Sequence, residues 1–133
     1  MSRPKSLFMG VLLALVSQQS CAAWVNIGSV EKDQYYIHSD SLGARSSQAW
    51  VMTDLHTPLS YKGKSVSSTR NYFEFDCASS RVRSLDMAGF SGPKLSGSIV
   101  VKDTKKGDWR FIPPNTPIQA AHALICGRSK YSG

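Results

Sequence analysis

The segment Asn71-Tyr72-Phe73-Glu74-Phe75-Asp76-Cys77 alternates between two sets of side chains without a break, and a chain that contains it is committed to a half-buried strand. Phe73, Phe75 and Cys77 fall on one face, Tyr72, Glu74 and Asp76 on the other. A slip of one residue would put both phenyl rings in water. The strand ends in a cysteine, and the number of partners open to it depends on how the N-terminus is read.

Arg3 and Lys5 precede a ten-residue apolar run, Leu7 to Val16, which gives way to small and polar residues up to Ala23. That is the pattern of a secretory signal peptide, residues 1–23. The run is too short to cross a membrane as a helix, which takes about 20 apolar residues, and no later stretch is longer. Small residues suit cleavage before Ala23 or before Trp24. Acylation of Cys21 as an outer-membrane lipoprotein is the poorer match, because Gln18 and Gln19 stand where a lipobox has an aliphatic and a small residue. With Cys21 removed, Cys77 and Cys126 are the two cysteines left. An exported chain meets an oxidising compartment, so the pair is expected to form one structural disulfide.

The mature chain is one domain, 24–127, with a short tail, 128–133. Its leader takes two of the 16 basic residues and none of the nine acidic ones, leaving a net charge of +5. A moderately basic surface suits polyanions without requiring them.

From Trp24 the chain reads as short strands between turn signals: 24–30, 34–38, 48–56, 68–77, 81–90 and 98–102. Thr57-Pro58 is expected to end the third strand, and Tyr61 to Ser65 to form a solvated loop. Residues 39–47 are expected to be a loop with at most one helical turn. Asn115-Thr116-Pro117 puts a capping side chain before a proline at the first helical position. The helix that follows should run to about Cys126, with Ile118, Ala121 and Ile125 on one face. Ten residues of helix are not stable alone in water, so this one must dock. The fold class is α+β: a single six-stranded antiparallel sheet with one C-terminal helix packed on one face.

The order Trp24; Tyr36-Ile37 with Asp40 and Ser41-Leu42; Trp50-Val51 and Asp54; Asp76-Cys77 with Arg81; Trp109, Ile112 and Pro113-Pro114; and Cys126 resembles the surface-adhesin protein E family of exported bacterial proteins. The resemblance spans nearly the whole mature chain. It implies a six-stranded sheet with a C-terminal helix clipped by one disulfide. For function it implies binding of host extracellular-matrix and plasma proteins from the cell surface. The weak lipobox departs from that pattern and makes the periplasm, or secretion, the expected location.

Candidate sites are few. His38, His56 and His122 show no metal-ligand spacing, and no metal or other cofactor is expected. If the second and third strands are neighbours, His38 and His56 can approach each other with Glu74 nearby, as in a small ribonuclease. That secreted hydrolase is the alternative to a binding module, and it requires two of His38, His56, Glu74 and Asp54 around a cleft. Arg81, Arg83, Lys102, Lys105 and Lys106 are the candidates for a positive patch. Trp50 and Tyr72 should lie on the sheet face opposite Phe73 and Phe75, where a homodimer or a protein partner can dock. No specific nucleic-acid partner is expected, since Tyr72 near Arg70 is the one suggestive pairing of an aromatic with a cation. The expected function is a non-enzymatic, envelope-associated or secreted binding module.

Overall fold

The computed structural model describes residues 23–127. The expected leader up to Ala22, with Cys21, and the expected tail 128–133 lie outside the described residues. The elements run β1 Trp24–Val30, β2 Asp33–His38, α1 Ser39–Gly43, β3 Gln48–Tyr61, β4 Lys64–Asp76, β5 Arg81–Phe90, a single 3₁₀ turn Pro93–Leu95, β6 Ile99–Asp103, β7 Arg110–Phe111 and α2 Pro117–Gly127. The sheet is antiparallel in the order β1-β2-β3-β4-β5-β6. The two-residue β7 pairs with the start of β5, through Arg81 opposite Phe111, and makes a seventh strand that the sequence pattern does not announce.

The expected hydrophobic face is the one that buries the core. Ile37, Ala49, Phe75, Val82 and Ile112 pack with Ala121, Ile125 and Cys126 of α2, and Phe73 and Ile118 sit at the margin. Cys77 and Cys126 are joined, with 5.3 Å between their Cα atoms. The helix begins as its cap chemistry requires: Thr116 Oγ1 accepts from the Gln119 N–H at 3.3 Å. The Gln119 side chain reaches back to accept from the Asn115 N–H at 2.6 Å. Near its start α2 meets β1 at Gly28, whose φ of 129° favours glycine and whose missing Cβ would lie 3.4 Å from Pro117.

Two expectations about the middle of the chain are corrected. Pro58 does not end β3, because the β3–β4 register jumps between Asp54 and Leu59, and Pro58 falls in that irregularity. Tyr61 to Ser65 is no loop but the end of a hairpin. Lys62 and Gly63 form its turn with φ of 47° and 77°, and Tyr61 pairs with Lys64. Two positive φ angles in succession are what a two-residue hairpin turn demands.

The face opposite α2 is partly covered at one end. The loop 91–98 folds onto it, and Ser68 Oγ donates to Gly92 O at 2.7 Å while accepting from the Leu95 N–H at 2.8 Å. Asp54 Oδ1 accepts from the Lys94 N–H at 3.0 Å. Met52, Ser68, Ala88 and Phe90 are thereby buried.

Candidate functional site

Cross-strand partners share a sheet face, so register decides which side chains stand together on the side away from α2. Trp50 is opposite Tyr72, Glu74 opposite Arg83, Asp76 opposite Arg81, and Ala88 opposite both Arg70 and Lys102. Trp50, Tyr72, Arg81, Arg83 and Lys102 therefore occupy one face. Lys105 and Lys106 lie in the exposed segment between β6 and β7, tied to the sheet where the Gly107 N–H donates to Ser84 O at 2.8 Å.

The middle of this face is a continuous polar chain. The Trp50 and Tyr72 rings lie 4.7 Å apart at an interplanar angle of 31°. Tyr72 donates its hydroxyl to Gln48 Oε1 at 2.6 Å, and Gln48 Nε2 donates to Glu74 Oε2 at 3.3 Å. Glu74 Oε1 in turn accepts from Arg83 Nε at 2.6 Å and pairs with the same guanidinium through Nη2. Burial pushes the Glu74 carboxyl up. Hydrogen bonds from Arg83 and Gln48, with the charges of Arg83 and Lys106, outweigh that and hold it below the ordinary range.

At the disulfide end, Asp76 Oδ2 accepts from Arg81 Nη2 at 2.7 Å and from Ser79 Oγ at 2.9 Å. The Arg81 hydrogen bond, then that of Ser79, lowers this carboxyl to about 2. The Trp109 indole covers both arginines, its ring centre 4.4 Å from the Arg83 guanidinium and 5.6 Å from that of Arg81. The two arginines are thus neutralised by carboxylates and roofed by an aromatic ring. Sequence reasoning about the site missed Trp109, whose loop position gives no period to read. A cavity of about 420 Å³ opens beside this cluster, lined by Ser47, Glu74, Asp76, Cys77, Arg81 and Trp109 among others.

Toward the covered end, the Arg70 guanidinium lies over the Trp50 ring at 5.3 Å and over the Phe90 ring at 5.5 Å. It borders a second cavity of about 370 Å³ with Trp24, His38, Asp40, Trp50 and Leu95.

Comparison with known proteins decides the family. The sequence model of surface-adhesin protein E matches residues 24–127. The chain belongs to the surface-adhesin protein E family. Its fold is similar to that of Haemophilus influenzae protein E in crystal form II, at 21% identity and a TM-score of 0.55, covering 71% of this chain and 80% of that one. Protein E from non-typeable Haemophilus influenzae gives 20% identity and a TM-score of 0.54, over 80% and 78%. No curated protein sequence matches the chain. Membership in the protein E family makes this an adhesin-like binding protein and implies export. No helix among the described residues is long and apolar enough to cross a membrane.

In this family member the histidines do not gather. β2 and β3 are neighbours, but antiparallel register sends His38 and His56 to opposite ends of the sheet. Ile37 pairs with Val51, which leaves His38 beside Trp50, and His56 is six residues farther along β3, about 20 Å at the rise of a strand. The expected approach of the two is corrected on that ground. His38 caps α1, its Nδ1 accepting from the Asp40 N–H at 3.3 Å. At the far end, the His56 N–H donates to Asp33 Oδ1 at 2.8 Å. His122 Nε2 lies 2.8 Å from Asp76 O and 3.0 Å from Ser79 O; both are acceptors, so that nitrogen carries the proton and ties α2 to the β4–β5 turn. Among the described residues no group of three His, Cys, Asp or Glu side chains could hold a metal ion.

Proposed function

We propose that this protein is an exported, non-enzymatic binding module that engages a protein partner, of the host matrix or of the envelope, through the sheet face opposite α2. The single observation that supports it is the convergence of Trp50, Tyr72, Arg81, Arg83 and Lys102 on that face through strand register. Stacked aromatics and arginines held in fixed orientation are the side chains that dominate protein interfaces. Because Arg81 and Arg83 already have carboxylate partners, binding here rests on shape and aromatic contact more than on net charge. Export follows the leader expected at residues 1–23, with the periplasm or the medium as destination.

The test is solid-phase binding of the oxidised mature chain to a panel of purified extracellular-matrix and plasma proteins, with an envelope-extract pull-down beside it. Binding that a paired Trp50→Ser, Tyr72→Ser variant loses, with folding intact, bears the reading out. Retention of nothing, together with degradation of RNA or peptidoglycan, overturns it.

A further inference from the structure

We propose that the cavity at Arg70, which shares Trp50 with the protein-binding face, is a binding site for a small organic monocarboxylate that carries an apolar group. Of the arginines on β4 and β5, Arg81 and Arg83 each have a carboxylate; Arg70 has none within ion-pair distance among the described residues. Its Nε is buried and has no hydrogen-bond partner. A buried donor left unmade is costly, more so on a charged group, and calls for an acceptor. The rings of Trp50 and Phe90 lie against the guanidinium and the side chain lines the cavity, so a ligand there would meet the outer, terminal N–H groups, with the buried Nε–H reporting on them from behind.

The rest of the cavity supplies the apolar part. Trp24, Trp50 and Leu95 line it, and about 370 Å³ is the volume of a small-molecule site. Its charges set the valence of the ligand. Asp40 stands at the mouth, its side chain mostly exposed and 3.7 Å from His38 Nδ1. Asp86, opposite Tyr72, is diagonal to Arg70 on the same face, and its Oδ1 is also buried and unpartnered. Among the described residues Arg70 is the one arginine or lysine that lines the cavity, so it offers a single positive charge to a ligand, and the nearby acids oppose a phosphate dianion more strongly than a monocarboxylate. Asp86 is also the internal rival, since a change of rotamer can bring it to Arg70.

The experiment is an NMR titration of the oxidised, ¹⁵N-labelled mature chain with N-acetylphenylalanine, following the Arg70 Nε–H and the indole N–H signals of Trp24 and Trp50. N-acetylphenylalaninamide, phenyl phosphate and a short peptide ending in phenylalanine serve as comparisons. Saturable shifts are expected with the acid, with affinity roughly ten- to a hundredfold weaker for the amide. Arg70→Gln should abolish binding while leaving the Trp109 indole signal in place, and Asp86→Asn should preserve or tighten it. Tighter binding of the peptide than of the free acid supports the site and makes a chain terminus its source; the reverse supports a free metabolite. Equal shifts with acid and amide, or no shifts, overturn the proposal. So does an Arg70 Nε–H signal that ignores the acid but moves in Asp86→Asn, which would mean Arg70 closes on Asp86. That readout uses the unaltered arginine and survives a failure of Arg70→Gln to fold.

Discussion

The Asp76–Arg81 pair makes stability depend on pH in a direction that can be worked out. Its folded-state pKa of about 2 lies below the ordinary 3.8, so the pair stabilises the fold above about pH 4 and loses that contribution as the pH falls toward 2. Glu74, also lowered, acts in the same sense. Urea unfolding should therefore show Asp76→Asn less stable than the parent at neutral pH, with the gap closing in acid; a gap that widens would contradict the assignment. At His122 the expected loss is larger than an exposed histidine would give. Removing its ring leaves two carbonyls of the β4–β5 turn short of a donor, and His122→Ala should cost about 1–3 kcal/mol by thermal or urea unfolding. Residues of this kind were only half legible. Alternation along β3 and β4 is enough to put Trp50 and Tyr72 on the far face, but nothing in a linear pattern says that Glu74 and Asp76 are opposite Arg83 and Arg81. That fact belongs to register, and Trp109 reaches the cluster from a loop with no period at all.

Among the elements, α2 depends most on its clasp. The bridge joins residues 49 apart, and closing a loop of that length is worth about 4 kcal/mol in the chain-entropy model. Paired Cys77→Ser and Cys126→Ser substitutions should lower the unfolding free energy by about that amount, with amide protection falling first in α2. Thiol labelling of the parent without reductant should find both sulfurs blocked. The strands and the helix were readable because each carries its period and its stop signals: alternation in β4, Thr116-Pro117 for α2. The pattern misleads where a stop signal is overridden. Proline is excluded from a strand by its missing N–H, yet an irregular register makes no use of that donor, and β3 runs on past Pro58. β7 is two residues long, too short for any pattern to reveal.

For the whole molecule, the sheet has two faces and one helix, and the loop 91–98 covers only part of the side that α2 leaves open. A second copy of the chain is a competitor for that side. Light scattering of the purified mature chain decides between them: a dimer that Trp50→Ser, Tyr72→Ser dissociates assigns the face to self-association, whereas a monomer leaves it to a foreign protein. Beyond the irregularity in β3, the strands Leu59–Tyr61 and Lys64–Val66 continue alone to the Lys62-Gly63 turn, exposed except at Val66, which is buried at the base. A ribbon of two strands with neither side covered adds little to global stability. It is a finger rather than a beam, and its tip is the place where a foreign epitope could be spliced in and carried clear of the body without cost to the core.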